Sequence, residues 1–396
     1  MRGIGKGGKE HETFMKPERL ISLDAFRGFT IAGMILVNNP GSWSHIYPQL
    51  DHAEWNGWTF TDWIFPFFLW IVGVAMTFSF AVRSAKGDSK EKLLLNVLRR
   101  SVIIFLLGLF LSGFPFGLLW NHSFHLSSIR IPGVLQRIAV CYLIASMIYL
   151  FASMRGVIIA IGALLLSYAL MMFYIPVPEI GAGLFEKGRN FAAYIDSLIL
   201  NGHMWSATKT WDPEGIVSTI PAIATTLFGA LTGDYLRLST HSKTEKSAWI
   251  FIFGAGMLLV GAFFDMWMPI NKNLWTVSYS IFMAGWALCV FGIFYFLIDA
   301  QGIKKWAHPF VVYGMNAIFV FVLSGILGRM LILMKFNVQL SDGSFKDVPL
   351  KTIITQNLFE PYFSPLNASL LFAVMWIIGL YGVVWVMYKR RWFVKV

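Results

Sequence analysis

Charge is what this chain has least of. Asp, Glu, Lys and Arg make up 13% of its 396 residues, about half the share of an ordinary water-soluble domain. Hydrophobic residues fill 57%, more than the interior of a water-soluble domain can hide. A bilayer removes that difficulty, because lipid solvates the outer faces of the helices. Cysteine is scarce too. Cys141 and Cys289 are the only two, each inside an apolar run, which argues against a disulfide framework or a zinc site. There is no P-loop, no Gly-rich dinucleotide fingerprint, no HExxH and no serine nucleophile elbow. No internal repeat is visible, which argues against a transporter built from two inverted halves. The net charge of +11 does not point to nucleic acid, since the basic residues recur at the ends of apolar runs instead of forming one patch. The polar N-terminal stretch is not expected to be a cleaved signal. Asp24 and Arg27 interrupt the apolar run behind it, and no small-residue cleavage site follows.

A spanning helix needs about 20 mostly apolar residues. Ten runs qualify: Leu20–Asn39, Phe60–Val82, Ser101–Trp120, Pro132–Ser153, Gly156–Ile175, Ile216–Leu236, Ala248–Trp267, Leu274–Ile298, Pro309–Leu333 and Ala368–Tyr388. The expected fold is all-α: a polytopic membrane protein of about ten transmembrane helices, forming a single unit over residues 1–396. Trp43, Trp55, Trp58, Trp120, Trp267 and Trp275 lie near run ends, where aromatic belts form. Of the 32 Lys and Arg residues, 21 fall on the side of the N-terminal tail (residues 1–19) and 8 on the other side. That bias predicts both termini in the cytoplasm. The long loops 40–59, 176–215 and 335–367 then face the periplasm, and loops of that length are usually functional. Phe191, Tyr194, Ile195, Leu198 and Ile199 have helical spacing and predict a short helix, either in the interface or packed onto the bundle.

Asp24 and Arg27 stand three apart in the first run, on one helix face. Charges inside a span pair or line a polar cavity, and a structural ion pair is the simpler reading here. The loop after the first helix has no Lys or Arg but carries His45, Asp51, His52 and Glu54, with Asp62 following at the start of the next run. Acidic neighbours orient a histidine and raise its basicity, so this loop is a candidate lining for a polar pocket at the membrane surface, with His52 ahead of His45. Gln136, Arg137, Asp212, Glu214, Asn271, Asn273 and Asn316 are further polar residues in or beside apolar runs. Intramembrane polar groups are functional hypotheses by default, although capping or cross-linking helices is the simpler role for Gln136 and Asn316. The basic pairs Arg99–Arg100 and Lys304–Lys305 read as topology signals that are also suited to the phosphates of a cytosolic ligand.

Several stretches occur in one order along nearly the whole chain: RLISLDAFRGFTIAGMILVNNPG, DHAEWNGWTFTDWIFPFFLWIVG, IRIPGVLQRIAVCY, YIDSLILNGHMW, WDPEGIVSTIPAIATTLFGALTGDYL, PINKNLWTVSYS and PFVVYGMNAIFVFV. Through them the chain resembles the heparan-alpha-glucosaminide N-acetyltransferase family, in particular its bacterial, NagX-like members. The resemblance implies an inner-membrane acyltransferase, thought to be a homodimer. It would take acetyl from cytosolic acetyl-CoA, without a metal, and pass it to the amine of a glucosamine-type sugar across the bilayer. The family's HxxWNG motif falls on His52-Ala53-Glu54-Trp55-Asn56-Gly57, so its active histidine matches His52. The asparagine closing its first helix matches Asn38. Asp24, Arg27 and Asp62 carry over as motif members, and Trp55, Asn56, Arg137, Glu214 and Asn273 join them as candidates for binding substrate or donor.

The chemistry implied is aminolysis of a thioester. The attacking amine must be neutral, and an imidazole, with an ordinary pKa of about 6.5, suits the base. The Asn38 amide would stabilise the developing oxyanion. An acetyl-histidine intermediate is the rival route. A transporter of N-acetylglucosamine or a related amino sugar, and an assembly scaffold without turnover, are the alternative functions.

Overall fold

The computed structural model of the chain describes residues 19–118, 124–238, 240–339 and 344–394. Most of the expected N-terminal tail, and Trp120, lie outside the described residues. Thirteen α-helices occupy the described part: α1 (Ile21–Asn38), α2 (Phe60–Ser84), α3 (Lys90–Gly113), α4 (Val134–Phe151), α5 (Met154–Tyr174), α6 (Phe191–Ile199), α7 (Ile216–Arg237), α8 (Lys243–Asp265), α9 (Val277–Tyr295), α10 (His308–Met315), α11 (Ala317–Leu333), α12 (Leu350–Leu358) and α13 (Pro365–Lys389). One antiparallel hairpin, β1 (Lys335–Gln339) with β2 (Phe345–Pro349), stands between α11 and α12. Nine of these helices are long and apolar enough to cross a membrane, α9 being extended to Ala300 by a π-turn. The count is ten if α10 and α11 form one broken span. This is an all-α polytopic membrane protein.

The helices sort into two layers. In α1, α2, α7 and α9 most of the surface is buried, whereas α3, α5, α8 and α13 leave most of theirs exposed. Leu166, Leu259 and Ile378 project apolar side chains outward from that second layer. Outward leucine and isoleucine are what a helix in contact with hydrocarbon presents.

The inner layer packs through missing side chains. A Cβ on Gly73 of α2 would stand 1.9 Å from the Thr226 carbonyl oxygen of α7, and one on Gly229 of α7 would stand 2.0 Å from that of Trp70. Glycine at both contacts brings the two backbones together, the small-residue packing favoured where lipid supplies no hydrophobic drive.

Three expectations change. The third span begins at Lys90, not Ser101, because the Ser89 hydroxyl caps the helix by accepting from the Lys92 N–H at 3.3 Å. It ends at Gly113, just ahead of Pro115. The run Pro309–Leu333 is two helices bent by 71° at Asn316. That buried amide donates to the Trp392 carbonyl at 3.1 Å and accepts from the Val394 N–H at 2.9 Å. The C-terminal segment thus satisfies both ends of the Asn316 side chain at the break. Trp275, expected in an interfacial belt, is fully buried, and its indole N–H donates to the Thr225 hydroxyl at 3.1 Å.

Candidate functional site

His52 lies on the loop between α1 and α2, and α2 itself positions it. Asp62 sits in the first turn of α2, where a carboxylate answers the free N–H groups and positive end of the helix. One oxygen, Oδ2, accepts from the Thr59 N–H at 3.0 Å, the Thr59 hydroxyl at 3.2 Å and the Ala53 N–H at 3.1 Å. The other, Oδ1, stands 2.6 Å from His52 Nδ1. Asp62 is 1% exposed, whereas the His52 side chain is 44% exposed. A carboxylate only accepts, so Nδ1 carries the proton. The lone pair of the neutral ring is then on Nε2, away from Asp62. Lys272 Nζ stands 3.4 Å from Nε2 and donates towards it.

The rest of the motif holds that loop down. Asn271, fully buried, donates to the Trp55 carbonyl at 2.8 Å and to Asn56 Oδ1 at 3.1 Å. Gly57, at a φ of +94° that favours glycine, donates its N–H to Ile270 at 2.7 Å. The Trp55 indole donates to the Phe185 carbonyl at 2.7 Å. From α9, the buried Tyr279 hydroxyl donates to the Asp62 carbonyl at 2.7 Å.

A second charged cluster lies where the loop before α7 meets the approach to α4. Arg130 grips Asp212 with two bonds of 2.9 and 2.6 Å and reaches Glu214 at 2.5 Å. Burial would push the Glu214 carboxyl up, but Arg130, Lys272 and Arg137 together hold it below the ordinary range. The same two carboxylates raise the Arg130 guanidinium against its own burial. Asp196 of α6 accepts from the Ile216 N–H at 2.9 Å and the Asp212 N–H at 3.2 Å, capping α7, and burial pushes it up to about 6. Arg137 is buried in α4, donates to the Gly215 carbonyl at 3.1 Å and to the Ser218 hydroxyl, and lies 5.2 Å from the Trp275 ring.

Two cavities open toward opposite ends of the bundle. The first, about 670 Å³, is lined by Arg19, Asp24, Arg27, Arg83, Arg100 and Phe321, so that four guanidinium groups share one carboxylate. Asp24 binds both Arg19, at 2.8 Å, and Arg27, at 3.2 Å. The second, about 480 Å³, is lined by Asn38, Asn39, Arg329, Lys351, Trp376 and again Phe321. Along α1, Asp24, Arg27 and Ile31 line the first cavity and Met34 and Asn38 the second. Steps of three and four place all five on one helix face. That face and the Phe321 ring are common to both cavities.

The structure therefore joins His52 to Asp62 and holds Trp55 and Asn56 in the same loop through Asn271. It places Asn38 elsewhere, in the lining of the 480 Å³ cavity. Asn273 is half-buried in the turn beside His52, while its neighbour Asn271 makes the bonds. His45 lies exposed near the Ser42 hydroxyl, 3.5 Å away. Lys272 and Tyr279 escaped the sequence reading. The only sign of either was its place in the PINKNLWTVSYS stretch.

A family model described as "Heparan-alpha-glucosaminide N-acetyltransferase, catalytic" matches residues 19–247. Human heparan-alpha-glucosaminide N-acetyltransferase is 30% identical over 359 residues, covering 77% of this chain and 52% of its own length. The mouse protein of the same name is 28% identical over 356 residues, covering 77% and 53%. The chain thus spans about half the length of the curated relatives it matches.

Proposed function

The chain belongs to the heparan-alpha-glucosaminide N-acetyltransferase family, and on that premise we propose that it is a multi-pass acetyltransferase of a bacterial inner membrane. It moves acetyl from cytosolic acetyl-CoA to the amine of a glucosamine-type sugar on the periplasmic side. The observation that carries this reading is the His52–Asp62 pair, 2.6 Å apart, inside the matched catalytic region and with Nε2 turned outward. The acceptor reacts as its neutral amine, the ammonium proton having passed to solvent; with Asp62 holding the Nδ1 proton, His52 Nε2 takes a proton from that nitrogen as it attacks the thioester carbonyl. When the tetrahedral adduct collapses, the C–S bond breaks and the imidazolium returns that proton to the departing thiolate. In the two-step variant Nε2 itself attacks and carries the acetyl group before the amine takes it. Asp62 stabilises the cationic ring in either route.

The cavity with four arginines suits the diphosphate end of the donor, since guanidinium groups pair with phosphate oxygens in twos. The face of α1 running on toward Asn38 offers the pantetheine arm a path; Asn38 lies away from the His52–Asp62 pair and would act as the oxyanion donor where the arm brings the acetyl group between them.

Proteoliposomes test this. Labelled acetyl-CoA on the cytoplasmic side should yield N-acetylated glucosamine in the wild type and none with His52→Ala. Asp62→Asn should lower kcat by about 100-fold or more, by analogy with the cost of misorienting a catalytic imidazole, with KM little changed. Sugar flux without acetyl-CoA would replace this reading with a transporter, and stoichiometric binding without either activity would replace it with a scaffold.

A further inference from the structure

A third cavity, of about 1030 Å³, shares no lining residue with the two along α1. It lies where α2, α4 and α7 end and α5 begins, the side that the distribution of basic residues assigns to the cytoplasm. Its floor is one face of α7, where Phe228, Leu231, Thr232 and Tyr235 follow at helical steps. From Leu238 inward to Phe228 the lining runs along about 15 Å of helix. The neighbouring helices leave this face open. α8 makes its main contact with α9 and not with α7; a Cβ on Gly285 of α9 would stand 2.9 Å from the Gly254 carbonyl oxygen of α8. Drawn against α9 in this way, α8 stands away from α5, and the α7 face borders the space between them.

The two ends of the cavity differ. Inside it is apolar, bordered by the buried Phe80, Leu150, Ile250 and Leu288. At its rim Ile158 of α5 and Phe253 of α8 are each 54% exposed. Both belong to apolar spans, so the gap between α5 and α8 opens to hydrocarbon. The cytoplasmic end is charged, with Arg155, Arg237 and Asp234 in the lining. Asp234 is engaged already: it accepts from the Tyr149 hydroxyl and stands 3.3 Å from Arg237. Arg155 is exposed, and among the described residues no carboxylate is bonded to it. It stands in the first turn of α5, which has no acidic residue, so its charge adds to the positive end of that helix.

We infer that this cavity holds a phospholipid of the surrounding bilayer with an anionic headgroup, one acyl chain lying along α7 and the phosphate at Arg155. Two guanidinium groups against one occupied carboxylate leave an excess of positive charge for the headgroup, and basic pockets between spans on the cytoplasmic side suit such lipids. A soluble anion would leave the apolar length of the cavity unfilled. Lipid occupancy is read without turnover and is independent of acetyl transfer at His52.

Native mass spectrometry of the full chain, delipidated in detergent, tests this with phosphatidylglycerol and phosphatidylcholine of identical acyl chains supplied in equal amounts. The wild type should retain one phosphatidylglycerol per chain, in about fivefold preference to phosphatidylcholine. Arg155→Gln should lose the preference at an unchanged melting temperature, and Arg155→Lys should keep most of it. Leu231→Trp, which fills the floor, should retain neither lipid, whereas Leu259→Trp, on the outward face of α8, should behave as the wild type. Equal retention of the two lipids by the wild type, or undiminished phosphatidylglycerol on a folded Leu231→Trp, would overturn the inference. Inorganic phosphate displacing phosphatidylglycerol at equal concentration would overturn the lipid as the ligand. Leu231→Trp separating a dimer with lipid retention unchanged would overturn it too, and assign the cavity to a second copy of the chain. Arg155 is exposed, so Arg155→Gln decides the matter even if Leu231→Trp does not fold.

Discussion

A carboxylate that accepts four hydrogen bonds has little room to turn. Asp62 takes two from Thr59, one from Ala53 and one from His52, so the imidazole plane is set by the start of α2 and not by the loop that bears it. The loop contributes the ring; the helix contributes its direction. Asp196 shows the opposite balance. It accepts only two backbone N–H groups, and burial outweighs them, raising it from an ordinary 3.8 to about 6. For a group raised on folding, the stabilisation is complete below the unfolded value and is lost as pH rises through the folded one. The melting temperature of the wild type should therefore fall relative to that of Asp196→Asn as pH rises from about 4 to about 7. The difference should be at most about 3 kcal/mol, and a pH series of paired thermal melts measures it.

At the scale of elements, the α2–α7 contact depends on atoms that are absent. Gly73→Leu should lower stability by about 3 kcal/mol, because the new side chain meets backbone, which cannot swing aside. Gly162→Leu, with nothing within 4 Å of its Cβ, should cost little; thermal melts of both variants in detergent check this. Such contacts were invisible in the sequence, where Gly73 and Gly162 look alike. The spans themselves were legible, because a hydrocarbon slab about 30 Å thick imposes length and composition together. The break at Asn316 was not, since the partners of its side chain, Trp392 and Val394, lie more than seventy residues away. The short helix α6 was legible from its spacing, whereas β1 and β2 were not: KFNVQ does alternate polar and apolar residues, but FKDVP does not, and the whole stretch read as one long loop. Within the site, the motif disclosed His52 and Asp62, but their bond spans ten residues and depends on a loop whose path only the fold reveals. Lys272 reaches His52 from 220 residues along the chain, a distance at which sequence carries no signal.

At the scale of the whole molecule, charge is divided between the two ends. The first cavity holds Arg19, Arg27, Arg83 and Arg100 against one carboxylate, and Arg100 lies 5.5 Å from the Tyr142 ring. On the acetyl-transfer reading, Arg100→Ala should raise KM for acetyl-CoA about tenfold and leave kcat nearly unchanged, as the loss of a charged hydrogen bond to a bound phosphate does. Steady-state kinetics with varied donor decides it. Two cavities approaching from opposite ends also thin the barrier between them. Phe321 borders both, and where two water-filled cavities meet one residue from opposite sides, the potential across the membrane falls mainly over what lies between them. On the acetyl-transfer reading, the chemistry would proceed inside the insulation of an energised membrane, and the ring between the two cavities would also guard the cell against a leak of protons.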